Sequence, residues 1–176
     1  MLAYRIEEKP ELILTGYKRR FTGVPGARFE QERDLFTHSR ANQYLLQGLA
    51  IDRCDSYTVV TNVDDEGYDF WICGLLTDKT RQRMHEDVVL GEEEAKRFEH
   101  LVIPAHTYAV FETEHCPFPT EQHLSLRERI VSEWLPASGY VLADAPEIAL
   151  YHWYTGADRA NRYIELWLPV GQADSQ

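Results

Sequence analysis

The sequence predicts an α+β domain built from two copies of one strand, helix and hairpin unit. Three observations carry that expectation. Both halves hold β-rich stretches and one apolar-periodic helix, arranged in the same order of strands, helix, then hairpin. Landmarks recur at a near-constant separation: Pro10 and Pro104 lie 94 residues apart, Tyr17 and Phe111 also 94, and Tyr68 and Tyr163 95, against a half-length of 88. Finally, 176 residues of which 44% are hydrophobic and 12% aromatic are enough to bury one substantial core without a staple. The expected organisation is a single domain, with repeat one at about 1–77, a charged connection at about 78–98 and repeat two at about 99–172.

The elements follow in order. The stretch Tyr4 to Phe21 contains Leu12-Ile13-Leu14 and Gly16-Tyr17 and reads as a strand or strand pair, broken by Thr22-Gly23-Val24-Pro25-Gly26. From about Ala27 to Ala50, Phe29, Phe36, Tyr44, Leu45 and Leu49 fall near a 3.6-residue period, which predicts one amphipathic helix with polar interruptions at Glu32-Arg33 and Arg40. Tyr57 to Asn62 and Tyr68 to Leu76 flank the turn Asp64-Asp65-Glu66-Gly67 as a hairpin. Asp78 to Glu99 is charged, with Val88-Val89-Leu90 its main core contribution, and reads as a connection. Leu101 to Phe111 reads as two short strands around Pro104, because proline cannot occupy a central ladder. Thr120 is placed to cap a helix whose face is Leu124, Ile130, Val131, Trp134 and Leu135, closed by Pro136 and Ser138-Gly139. Ile148 to Trp153 and Tyr163 to Val170 form a second hairpin around Thr155-Gly156-Ala157-Asp158.

Charge and cysteine usage exclude several function classes. Eighteen basic against 29 acidic residues give −11, which repels phosphate backbones and anionic headgroups, so no direct nucleic-acid or membrane partner is expected. A basic protein surface or a cationic ligand is electrostatically favoured instead. No apolar run reaches the roughly 18 to 20 residues that span a bilayer, and MLAYRIEEKPEL carries acids where a signal peptide has its apolar stretch, so the expected location is the cytoplasm. Cys54, Cys73 and Cys116 are widely spaced, and the seven histidines show neither HxH nor HExxH spacing. No metal and no cofactor is expected. The acidic clusters at 64–66 and 92–94 lack the alternation of a calcium loop, and there is neither a phosphate-cradling loop nor GxSxG.

Three strings in order, Ile103-Pro104-Ala105-His106-Thr107-Tyr108-Ala109-Val110-Phe111, Glu133-Trp134-Leu135-Pro136-Ala137-Ser138-Gly139-Tyr140 and Tyr163-Ile164-Glu165-Leu166-Trp167-Leu168-Pro169-Val170, resemble the gyrase-inhibitor-like (GyrI-like) small-molecule-binding domain. That effector-binding domain is also appended to bacterial transcription activators of the AraC and MerR types. The resemblance implies duplicated β-α-β-β repeats with pseudo-twofold symmetry, antiparallel sheets with helices on one face, a ligand cleft between the repeats, and a cleft acid in the last strand. No helix-turn-helix segment accompanies it, so the effector domain is expected to stand alone.

On the last strand, a period of two sends Tyr163, Glu165, Trp167 and Pro169 to one face and Ile164, Leu166, Leu168 and Val170 to the other. A carboxylate flanked by aromatic rings suits a lipophilic cation; on pattern alone it equally suits a glutamate facing water from an exposed sheet. The resemblance favours the ligand role. The repeat offset puts Tyr68, Phe70 and Ile72 on the matching face of the first half, with Phe70 in the place of Glu165, so the cleft would hold one acid. Tyr151 and Trp153 share one parity of the neighbouring strand and line either the cleft or the core.

The expected function is therefore binding of hydrophobic, often cationic or multi-ring molecules (multidrug binding) as a sensor or sequestering module, with a link to transcription regulation. The expected ligand-binding residues are Glu165, Tyr163, Trp167, Tyr68, Phe70, Tyr151 and Trp153, with no catalytic residue. An alternative implied by the resemblance is a hydrolase in which Glu165 is the base and Tyr163, Tyr68 or Tyr151 assists. A third is a protein-interaction inhibitor, topoisomerase-directed, acting through the acidic surface.

Overall fold

The computed structural model describes residues 1–26 and 29–173; the Ala27 and Arg28 start of the expected first helix, and the side chain of Phe29, lie outside the described residues. Among the described residues nine strands form one antiparallel sheet. In chain order these are β1 (Arg5–Lys9), β2 (Leu12–Thr22), β3 (Asp55–Thr61), β4 (Gly67–Gly74), β5 (Glu99–Ile103), β6 (His106–Glu112), β7 (Tyr140–Leu142), β8 (Glu147–His152) and β9 (Tyr163–Gln172). The spatial order is β1-β6-β9-β8-β3-β4-β2-β5, with β7 pairing the far end of β9. Helices α1 (Phe29–His38), α2 (Arg40–Leu49) and α5 (Thr120–Arg129) lie against one face, and the short helices α3 (Asp78–Gln82), α4 (Glu92–Ala95) and α6 (Leu135–Ser138) join the remaining elements.

Two prolines bend this sheet into a half-barrel. Pro10-Glu11 is all that separates β1 from β2, and Pro104-Ala105 all that separates β5 from β6, yet in each case the joined strands belong to opposite ends of the sheet. Two residues span only a few ångströms, so the edges must face one another. The sheet therefore curls around an interior cluster containing Tyr57, Val59, Trp71, Val110, Ile148 and Trp167. Leu101 to Phe111 is two strands around Pro104, as expected, but they do not pair with one another: β5 pairs β2, whereas β6 pairs β1 and β9.

The duplication holds, and the registers fix its offset. Thr15 faces Gly74 across β2 and β4, and Ala109 faces Leu168 across β6 and β9, so both strands of the pair advance by 94 residues. The expected match of Tyr68 with Tyr163 is thus one residue out; Tyr68 corresponds to Arg162. Because faces alternate with every residue, this slip reverses the side to which β4 residues point. Tyr68, Phe70 and Ile72 pack under α1 and α2, on the face opposite the interior that holds Trp71 and Trp167.

Other expectations are refined. The 27–50 helix is two, broken at Ser39, whose hydroxyl donates to the Leu35 carbonyl. Thr120 is the first residue of α5 and Pro119 occupies the capping position without a side-chain bond. A π-turn at Ile130–Trp134, in which the Leu135 amide bonds the Ile130 carbonyl, carries α5 into α6, whose first turn holds Pro136. In the 78–98 connection the core residues are Met84 and Phe98, while Val88 is exposed.

Candidate ligand-binding groove

The two halves meet where β3 pairs β8, and over that seam α1 from the first half and α5 from the second stand apart. The gap is a cleft of about 750 Å³ floored by Thr58, Val60, Phe70, Ala149 and Leu166, all on the helix-bearing face. A second lobe of about 440 Å³ continues it past Tyr151 toward α2 and Trp153. Phe36, Tyr151 and His123 stand between the lobes: the Tyr151 ring centroid lies 6.2 Å from that of Phe36 and 5.9 Å from that of His123. Phe36 also meets Phe70 edge-on at 6.4 Å.

The polar groups of this groove are unusual in their partners. Arg127 on α5 reaches Glu147 on β8 with two bonds, Nε at 2.7 Å and Nη2 at 3.1 Å, a forked pair that ties the helix to the floor. Glu32 on α1 lines both lobes and, among the described residues, has neither a hydrogen bond nor an ion pair. Burial raises its carboxyl pKa to about 7, with the Arg127 charge opposing and Glu147 reinforcing the shift. His123, buried on α5, has an Nδ1 with no hydrogen-bond partner, and burial pushes its pKa down to about 4, so the imidazole is neutral. The Tyr151 phenol is raised by burial and by Glu32, and is eased by its hydrogen bond to Thr58.

Of the expected site residues, Phe70, Tyr151 and Trp153 line this groove. Tyr68 is fully buried beneath the helices. Glu165, Tyr163 and Trp167 do share one face of β9, as expected, but it is the opposite one: Trp167 belongs to the half-barrel interior. At its rim, Glu165 accepts from Arg5 on β1 and from His152 Nε2 at 3.2 Å, and His152 Nδ1 donates to Asp55 at 3.0 Å. Burial opposes the Glu165 charge, but His152 and Arg5 hold its pKa below the usual carboxylate range. His152, despite its burial, is raised to about 9 by the two carboxylates. Tyr163 stacks between His152 at 4.2 Å and His115 at 4.3 Å. The Glu165 charge is therefore already matched within the protein.

Sequence reasoning missed Glu32 and His123. The signal was present: Glu32 lies four residues before Phe36, and His123 seven before Ile130, so each interrupts the apolar face of its own helix. No membrane-crossing helix and no metal-holding cluster occurs among the described residues.

Solved structures share this fold. SAV2435, whose structure holds tetraphenylphosphonium, superposes with a TM-score of 0.70 at 14% identity over 97% of this chain and 94% of that one. An integron cassette protein of Vibrio cholerae gives 0.61 at 14% over 96% and 95%, and the EcmrR C-terminal domain 0.55 at 15% over 97% and 98%. No curated protein matches the sequence. The model of the integron-associated effector binding protein family, Cass2, matches residues 5–170, and the chain belongs to that family of small-molecule-binding domains.

Proposed function

We propose that the chain binds a hydrophobic, multi-ring molecule bearing a positive charge in the groove between α1 and α5, as a sensor or sequestering module. One observation carries this reading: the half-buried Glu32 carboxylate holds no hydrogen bond or ion pair among the described residues, and it faces apolar groups, Val60, Phe70, Leu124 and Leu166 in the larger lobe and Phe36 and Tyr151 beside it, within a lining in which acids outnumber bases. Such a carboxylate loses hydration without compensation, and a cation with a lipophilic shell supplies both the missing charge and apolar burial worth about 25 cal/mol per Å². The cleft volume of about 750 Å³ falls in the range of small-molecule sites.

Calorimetric titration with tetraphenylphosphonium, the cation held by SAV2435, tests the reading when repeated on Ser132→Trp, which fills the cleft from an exposed position of the π-turn. Binding by the native chain and its loss in the variant are expected. Unchanged binding in the variant contradicts placement in the groove, and no binding of lipophilic cations by the native chain contradicts the ligand class.

A further inference from the structure

We infer that the smaller lobe is a separate subsite for a flat aromatic anion, such as a two-ring carboxylate. This goes beyond the cation reading: it rests on Arg33 and Arg40, which line only the smaller lobe, although Glu32 borders both. The lobe of about 440 Å³ is walled by Phe36, Tyr44, Tyr151 and Trp153, and two cations, Arg33 and Arg40, line it against one acid, Glu32. Neither guanidinium has an ion-pair partner among the described residues, although acids outnumber bases 29 to 18 in this chain. Arg5, Arg19, Arg20, Arg81, Arg83, Arg127 and Arg129 each hold a carboxylate, whereas Arg53, Arg97, Arg159 and Arg162, like Arg33 and Arg40, hold none among the described residues; what sets Arg33 and Arg40 apart is that both border one aromatic-walled lobe.

The sign of the groove thus reverses along its length. Among the described residues the larger lobe is lined by Glu30, Glu32, Glu121 and Glu128, with its one cation, Arg127, occupied by Glu147. Beyond the Phe36–Tyr151 contact, the cations in excess are arginines, whose planar forks match a carboxylate with two parallel bonds. The aromatic wall is held in place from behind: the Arg162 guanidinium stacks on Trp153 at 4.2 Å and is itself anchored to the Tyr154 and Pro117 carbonyls at 2.6 and 3.2 Å. A fixed indole beside two free guanidinium groups receives a ring and its carboxylate together, and the small volume limits the ring system.

The test titrates 1-naphthoate and the neutral 1-naphthamide into the native chain, Arg33→Gln/Arg40→Gln and Glu32→Gln, following heat and the fluorescence of Trp153 against a Trp153→Phe control. The subsite predicts that naphthoate binds more tightly than naphthamide, quenches Trp153, and weakens about tenfold or more in the double arginine variant, since each lost charge-assisted bond removes a large part of its affinity. Both arginines are exposed, so the variant keeps its fold; a matching thermal midpoint verifies this. Naphthamide binding equally well, an unchanged affinity in the double variant, or no naphthoate binding at all overturns the inference. Because Glu32 borders both lobes, Glu32→Gln should weaken tetraphenylphosphonium and not naphthoate, whereas the double arginine variant should weaken naphthoate and not tetraphenylphosphonium, so failure of either reading is seen separately.

Discussion

Trp71 stands in the first half where Glu165 stands in the second. Each lies between two strand neighbours related by the repeat, Lys18 and Val59 for the indole, Glu112 and Leu150 for the carboxylate. The two halves thus fill equivalent places on the half-barrel interior in opposite ways. Trp71 receives the Lys18 ammonium over its ring at 4.9 Å, and Glu165 receives Arg5 and His152. The carboxylate clamps the edge strand β1 to β8 through β9.

Glu165→Gln should accordingly destabilise the chain by about 1 to 3 kcal/mol, because it strands partly buried cations rather than a ligand. Chemical denaturation measures it. A change below a few tenths of a kcal/mol would mean that Arg5 and His152 find other partners.

The same clamp sets a pH dependence. His152 is raised from its ordinary value to about 9 in the folded chain, so its contribution is complete below about pH 6.5 and is lost as pH rises through 9. Thermal midpoints between pH 6.5 and 10 should fall in the native chain and fall less in His152→Gln. Identical slopes would assign the loss to other groups.

Glu32 has the opposite sign. Its folded pKa of about 7 exceeds the unfolded value, so the folded state binds more protons between about pH 4.5 and 7 and its charge costs stability above that window, at most about 3 kcal/mol. Glu32→Gln should raise the thermal midpoint at pH 8, with the gain shrinking on acidification. A lowered midpoint at pH 8 would show that the carboxylate has a stabilising partner.

Gly16 marks a close approach of β2 to β4: a Cβ there would lie 2.1 Å from the Ile72 carbonyl oxygen and 2.6 Å from Cys73 Sγ. Gly16→Ala should shift the strand pair and cost several kcal/mol, about 3 or more, as overpacking against backbone does. Gly171→Ala meets nothing within 4 Å and should be near neutral. Equal effects of the two would contradict the register.

The duplication was legible because Pro10 and Pro104 mark equivalent strand links and Tyr17 and Phe111 equivalent core positions, and these share the true offset. The facing of β4 was not. Tyr68 and Tyr163 matched by residue type, yet the register aligns Tyr68 with Arg162, and one residue of slip exchanges the two faces. Curling was equally hidden, since pairing of β1 with β6 joins residues about a hundred positions apart and no local pattern encodes it. The groove acid was hidden differently: Glu32 looked like a polar interruption of a helix, and only the position of α1 relative to α5 turns its side of the helix inward.

Tetraphenylphosphonium affinity measured by calorimetry across pH 5.5 to 8.5 on the native chain, Glu32→Gln and Glu165→Gln tests the central claim most directly. The cation competes with the proton for Glu32, so native affinity should rise with pH and level off above about 7. Glu32→Gln should flatten that profile and weaken binding about tenfold at pH 8, while Glu165→Gln keeps both affinity and profile. The reverse pattern, with Glu165→Gln abolishing binding and Glu32→Gln leaving it intact, would contradict the account and move the ligand to the interior of the half-barrel.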